Sequence, residues 1–530
     1  MKKLCFSTIG MVLLGGTLSA QPAKLAWTRS NLSADLIQDT VSDALVTQSG
    51  RFFLAGSYRE GGVNDATFAC VTILNRSRSV HDVWTGIWGD SSTCGVADES
   101  GGHFYVAGTI KPTGSPNQQI FVVKLDQNLN NVYEWVFSAT TAGGMEVPTD
   151  IEVDAAGNVY VCGWGENGTE RNTWLYKATM GDALLEFQIP EKYKGTQEPM
   201  MALPEVGDEV LIAMLNNKNP ELTRFLPDGT RTWTQAQLVD NQFTSAEGRS
   251  MSFELMFDNF SAPLPTVRWS GTWNSTFGVG MTESRAATRR INPSTGNIEA
   301  SLLYTPEPGT NMITGVDDWM SQSASAVGFR RGNRSEVNLL SGLTISATWQ
   351  SPANQIIRNL TVHRDTFSEV TAMMARDAGS GMATGFTKLN ASGAKRWEIP
   401  IPQTSSGDQP ELQIVTHEAS GDILGIESRA TGFRLSCINQ ASVAISDTYR
   451  PRSGVTFRPT LPITSNDRWA GGATIAVTQQ PMHGTLTMGA SGSFLYKSVI
   501  GFFGTDTFTY TLTKPGLSPS TATVNLIVRP

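Results

Sequence analysis

The sequence predicts an all-β chain: an array of repeated four-stranded sheets followed by a separate β-module. Three observations predict it. Period-two alternation of apolar and polar residues over stretches of five to eight residues, broken by Gly, Asn and Asp, runs through most of the chain, as in "TDIEVDAAGNVYVCGW". An apolar residue followed by a turn dipeptide recurs at nearly fixed spacing. The composition shifts near residue 450 toward proline and arginine, and a last alternating stretch follows, "HGTLTMGASGSFLYKSVIGFFGTDTFTYTL". Apolar residues make up 40% and charged residues 17% of the 530, with 51 glycines for turns. That balance belongs to a folded β-rich chain long enough for more than one domain.

In chain order, residues 1–20 read as a bacterial secretory signal peptide. Met1-Lys2-Lys3 is basic, Leu4 to Leu18 is apolar, and Ser19-Ala20 offers small residues for cleavage. No cysteine follows the cut to carry a lipid. No later stretch reaches the run of apolar residues a membrane helix needs. The expected location is therefore secreted, extracellular or on the cell envelope after removal of the signal.

Residues 21–449 are expected to form the repeat array. The markers are Leu74-Asn75, Leu125-Asp126, Ala178-Thr179, Leu226-Pro227, Ile291-Asn292, Leu340-Ser341, Leu389-Asn390 and Ile438-Asn439, spaced by 48–53 residues except for one gap of 65. Each copy holds four short strands, the second recurring as "RFFLAGS", "HFYVAGT" and "NVYVCGW". One such unit cannot bury both faces alone, whereas stacking the units around a ring covers them, which is the β-propeller solution. Trp84, Trp135, Trp233, Trp349 and Trp397 fall shortly after the marker, where an outer-strand indole would wedge between neighbouring sheets.

The segment "KLAWTRS" (24–30) precedes the first copy and has no partner strands of its own, while the eighth copy has three good strands and only a weak fourth, "VAISD". The N-terminal strand is expected to complete the last blade around Trp27. This gives eight blades, with seven and one degenerate copy as the alternative. The second strands "GGHFYVAG" and "GNVYVCG" and the third strands "VVKLDQN" and "FTKLNASG" resemble those of the repeat-type β-propellers of secreted bacterial proteins, a family whose members have unrelated functions. "INPSTGNIEAS" and "LNASGAKRW" also resemble the tryptophan-docked repeats of the quinoprotein class, but the adjacent cysteine pair of its dehydrogenases does not occur here.

Residues 450–530 form the module. It resembles the bacterial Ig-like, cadherin-like tandem repeats of surface proteins through Asn466-Asp467, Pro481-x-His483-Gly484-Thr485, Gly492-Ser493-Phe494-x-Tyr496 and Phe503-Gly504-Thr505-Asp506-x-Phe508-x-Tyr510. The resemblance implies a β-sandwich used for reach, docking or adhesion. Phe494 with Tyr496 and Phe508 with Tyr510 stand two apart, so each pair faces one side of its sheet and can fill the core. Asp506 is expected to hold a turn through backbone N–H groups. Calcium between such modules needs clustered carboxylates, and Lys514 stands where relatives often carry an acid, so calcium is not favoured.

Four cysteines follow the signal, Cys70, Cys94, Cys162 and Cys437. They are too widely spaced for a metal motif and read as buried strand residues, with one disulfide chemically permitted and its pairing undetermined. The net charge is −8 and no Lys/Arg run occurs, which argues against nucleic acid as a partner. The five histidines, His81, His103, His363, His417 and His483, are scattered and form no zinc pattern. No nucleophile elbow or phosphate loop occurs, and "LPDGTRTW" reads as a hairpin turn. The neighbours Asp98-Glu99 and Asp317-Asp318 point to opposite faces of a strand and make no acid/base pair.

In a propeller, the connections from second to third strand and from one blade to the next emerge on one face. The long polar ones here carry Tyr58, Trp88, Trp164 and Tyr193, which could stack on a sugar ring or peptide or else cap blade ends. No catalytic residue, metal or cofactor is assigned. The chain reads as an exported, monomeric, non-enzymatic surface or extracellular interaction and adhesion protein, with a glycan or a protein as ligand. The alternatives are a secreted polysaccharide hydrolase or lyase with carboxylates from different blades meeting at the ring's centre, and an envelope assembly scaffold.

Overall fold

The computed structural model describes residues 22–530 apart from single residues, pairs and connecting segments, chiefly 31–39, 60–66, 76–79, 87–92, 113–116, 139–144, 180–183, 194–198, 205–208, 239–251, 259–265, 278–280, 305–312, 353–356, 378–381 and 402–409. The expected signal peptide lies outside the described residues. The described chain is built of strands with one short 3-10 turn at Ile463–Ser465. Contacts divide it into two units, 25–439 and 440–530, the latter joined by the N-terminal residues up to Lys24.

The alternating repeats of the first unit fold as antiparallel four-stranded sheets. Blades 1 to 7 span residues 40–85, 93–137, 145–187, 200–235, 252–304, 313–350 and 357–400. Blade 8 takes its first three strands from residues 411–440, and its fourth is Ala23–Ser30, which pairs with Gly432–Gln440. Each blade's first strand touches the first strand of the next, and Glu411–His417 of blade 8 returns to Thr40–Val46 of blade 1, so the ring closes with eight blades among the described residues. Blades 3 and 4 share extra pairing through the two-residue strand Lys192–Tyr193, which bonds to Arg171 and Asn172 on one side and to Asn216 on the other.

Closure is carried by packing as well as pairing. Trp27 joins a core of Val41, Phe52 and Leu54 from blade 1 and Leu424, Ile426 and Leu435 from blade 8, its ring edge-on to Phe52 at 6.3 Å. The other outer-strand tryptophans behave alike. Trp84 packs against blade 2, Trp135 against blade 3 and Trp349 against blade 7. Trp233 donates from Nε1 to the Pro293 carbonyl (2.9 Å) and lies over Gly296, whose φ of +74° and lack of Cβ leave room for the indole. Gly163 in the second strand of blade 3 has a similar reason: a Cβ there would overlap the Val147 carbonyl and the Trp174 ring.

The second unit is a two-sheet sandwich. One sheet runs Asp447–Tyr449, Ser520–Val528, Gly504–Thr513, Thr474–Gln479, and the other Thr456–Phe457, Phe494–Ser498, Gly484–Met488. Phe494, Tyr496, Phe508 and Tyr510 are buried at its centre with Val524 and Leu526. The "VAISD" segment is not the eighth blade's fourth strand: Val443 bridges Arg468, and Asp447–Tyr449 pairs in parallel with Ser520–Val528. The division therefore falls at Asn439/Gln440, ahead of the 449/450 boundary that composition suggested, because residues 443–449 find their partners at the far end of the chain.

Candidate functional site on the loop face of the propeller

The four aromatic candidates separate in the structure. Tyr58 and Trp164 lie within second strands, Phe52–Arg59 and Val159–Asn167, which continue further than turn residues suggested. Tyr58 stacks on Phe68 of its own blade at 5.4 Å. Trp164 is buried, 8% exposed, and packs into a core extending into blades 4 and 5. Tyr193 lies in the short strand bridging blades 3 and 4. Trp88 lies outside the described residues.

The topology thus gathers Trp164 and Tyr193 at the corner of blades 3 and 4. The Glu170–Ala178 strand runs between them, pairing Thr173 with Trp164 and Arg171 with Tyr193. Arg171, which sequence reasoning missed, lays its guanidinium over the Trp164 ring at 4.4 Å and bonds through Nε to Glu166 at 3.1 Å. The pair is part-exposed, so its charge is screened, but the indole beneath and the carboxylate beside it fix the guanidinium plane. The signal for this pair was the "WGENGTER" hairpin, whose register places Glu166 opposite Arg171.

At the inner strands a second pattern emerges that no single copy discloses. The first strands of blades 1, 3 and 7 each bulge near the start, at 41–43, 148–150 and 357–359. The polar residue after the bulge caps the next backbone N–H: Asp43 on Ala44, Asp150 on Ile151 and Asn359 on Leu360. Each then clasps another blade. Asp150 accepts from Met201 N–H at 2.7 Å, Asn359 donates to the Pro410 carbonyl at 3.0 Å, and Asp43 accepts from the Gln413 side chain at 2.5 Å. These groups hold blade to blade around the centre of the ring. The side chains of Asp98, Glu99, Asp317 and Asp318 lie outside the described set.

Among the described residues no three His, Cys, Asp or Glu side chains group as a metal site. His363 meets Glu418 at 3.4 Å, and His417 bonds Ser420, whose hydroxyl also reaches Asp422. Cys70, Cys162 and Cys437 are buried, while the Cys94 side chain is outside the described set. Asp228 of "LPDGTRTW" accepts the Thr230 N–H at 2.9 Å and Gly229 takes φ of +83°, a hairpin turn. The Thr230 backbone bond holds the Asp228 carboxyl below its ordinary range, and the Asn130 side chain does the same for Asp126. Among the described residues, Asp447 and Asp467 of the second unit have carboxyls raised above their ordinary range, owing first to burial.

In that unit Asp506 does what its motif suggested. Its carboxylate accepts the N–H groups of Met482, His483 and Thr507 and the Tyr496 hydroxyl, all within 3.0 Å. Lys514 is buried and donates to the Gln440 carbonyl. Among the described residues no helix is long and apolar enough to cross a membrane.

Similar solved structures include a prolyl endopeptidase, with 14% identity over 79% of this chain and a TM-score of 0.41. The chain spans only 57% of that endopeptidase's length. The β-propeller domain of the trilobed protease from Pyrococcus furiosus aligns at 7% identity over 66% of this chain and 94% of that one, TM-score 0.38. The polysaccharide lyase Uly1 aligns at 9% identity over 76% and 90%, TM-score 0.39. No curated protein sequence matches the chain. The chain is a β-propeller followed by an Ig-like module, the latter matching the bacterial Ig domain family at residues 439–527.

Proposed function

We propose that this is an exported interaction protein in which the propeller is a rigid recognition platform and the Ig-like unit an adhesion or docking module. The observation that carries this reading is the use made of polar groups in the ring. Asp43, Asp150, Asn359 and Gln413, on the inner strands, are bound to neighbouring blades. A carboxylate that fixes a neighbouring backbone N–H is poorly placed to act as a general acid or base. The corner of blades 3 and 4 instead offers a part-exposed guanidinium, oriented by Trp164 and Glu166, beside polar connections. Such a group suits an acidic sugar or a carboxylate-bearing peptide, to which Arg presents a planar fork of donors. The reading needs no metal or cofactor. Export rests on the N-terminal signal pattern of residues 1–20.

Arrays of glycans and peptides probed with the mature chain test it. Binding to anionic members, weakened about tenfold in Arg171→Ala with unchanged melting, supports it. Release of reducing ends or unsaturated products from a polysaccharide by the purified chain would overturn it in favour of the hydrolase or lyase.

A further inference from the structure

The Ig-like unit carries a charge and an apolar surface that the composition of the whole chain conceals. Residues 440–530 contain seven Lys and Arg against three Asp, a net +4 in a chain of net −8. The three acids turn inward: Asp467 and Asp506 are buried and Asp447 is half-buried. Arg450, Arg452, Arg458, Lys497 and Arg529 are all exposed. The exposed side-chain charge of this unit at neutral pH is therefore cationic.

One end of the sandwich adds apolar side chains that face water. Ile500 and Met482 are each 83% exposed, and Val455, Val499 and Phe503 more than half. Three turns are tied together there. Val499 N–H bonds the His483 carbonyl, Gly501 N–H the Ser453 hydroxyl and Gly454 N–H the Ser498 hydroxyl, each within 2.9 Å. The His483 ring stacks flat on Phe502 at 4.1 Å. Gly454 and Gly501 take φ of +68° and +84°, and a Cβ on Gly454 would meet Ile500 at 2.8 Å, so the turns hold Ile500 in place. Arg452 and Arg529 are bridged at the same end, and Lys497 lies two residues before Val499.

We propose that this end docks on the anionic surface of a lipid bilayer, with Ile500, Met482 and Phe503 entering the interface and Arg452, Lys497 and Arg529 meeting the headgroups. The apolar side chains sit on tied turns and are exposed to water, an arrangement that suits a deformable interface. The cationic rim supplies charge complementarity, and each basic residue near such a surface adds attraction that salt weakens. The proposal is independent of any ligand on the propeller.

The test is flotation of the mature full-length chain with phosphatidylcholine vesicles containing about one third phosphatidylglycerol, against pure phosphatidylcholine. Expected is association with the anionic vesicles alone, reduced roughly tenfold or more in Ile500→Ser/Met482→Ser and in Arg452→Glu/Arg529→Glu. Those side chains are exposed, so melting should be unchanged, and it is measured to show that each variant is folded. The proposal is overturned if the wild type does not float, if it floats equally with neutral vesicles, or if folded variants float like the wild type. It is also overturned if gel filtration shows a dimer that Ile500→Ser dissolves, which would make this end a self-interface.

Discussion

Replacing Asp506 by Asn should unlock the turn that the Ig motif encodes. The carboxylate is buried and meets four donors: Met482 and Thr507 N–H on Oδ1, His483 N–H and the Tyr496 hydroxyl on Oδ2. Burial alone would raise its pKa, but these bonds together outweigh burial and hold it below the ordinary range. An amide has one acceptor and one donor end. With its NH2 at Oδ1 it would face two backbone N–H groups that cannot accept. With its NH2 at Oδ2 the Tyr496 hydroxyl can rotate to accept, but His483 N–H is stranded. The better arrangement loses one charge-assisted bond and weakens the others, a cost of about 3 kcal/mol.

Hydrogen–deuterium exchange on the full chain reads this locally. The amides of 482–498 and 504–513 should exchange on the order of a hundredfold faster in the variant, while the propeller strands stay protected. The wild type should lose the same stability as pH falls. The folded pKa lies below the unfolded value, so the contribution is complete above about pH 4 and disappears as pH drops through the folded pKa. Unchanged protection at Met482 and His483 in Asp506→Asn would refute the turn-holding account.

Three further outcomes are expected. Trp27→Ala should lower the melting temperature of the propeller by a few degrees, because a half-buried indole at the closure contributes about 2 kcal/mol, and equal melting would refute closure by packing at Trp27. Lys388→Met should destabilise by about 3 kcal/mol or more in chemical denaturation, since it strands Asp365, whose carboxylate lies 2.6 Å from Lys388 with both side chains fully buried. Asp447→Asn should stabilise the Ig unit at pH 7 and not below about pH 4. Burial and the Asp467 charge raise the Asp447 carboxyl to about 6, so the folded carboxylate is costly above that value and the cost fades as pH falls to the unfolded value. The ceiling of about 3 kcal/mol, reduced for its partial exposure, leaves about 1 kcal/mol in calorimetry across that range.

What could be read from the sequence was whatever repeats or alternates locally. The blades follow from period-two strands and the marker spacing, the closing strand from a segment with no partner strands beside it in sequence, and the sandwich core from aromatic residues two apart. The domain boundary was hidden because the partner of Asp447–Tyr449 lies more than seventy residues away. The loop candidates were misjudged where strands outlast their turn signals: Trp164 stands in a "loop" of Gly, Glu and Asn that is still paired as far as Asn167 and Glu170. The clasp residues escaped notice for a third reason. Asp43, Asp150 and Asn359 are unlike in neighbours and gain meaning only when the copies are aligned on their bulges, with partners one blade away.

Charge shows why a chain-wide average misleads about surfaces. A net charge of −8 and a sequence pI near 5.3 describe an acidic protein, and no run of basic residues breaks that impression. Folding undoes the average in two steps. It partitions the chain into units of opposite sign, because residues 440–530 carry a net +4. It then turns the carboxylates of that unit toward buried donors, Asp467 to Tyr510 and Asp506 to Tyr496, while a parallel bridge sets Arg452 beside Arg529 from the other end of the unit. A basic patch can thus be assembled from residues that never adjoin in sequence. The two surfaces differ in how they hold charge: the blade 3 and 4 corner sets one guanidinium between an indole and a carboxylate and suits a discrete ligand, whereas the sandwich end spreads its charge around apolar side chains and suits a surface.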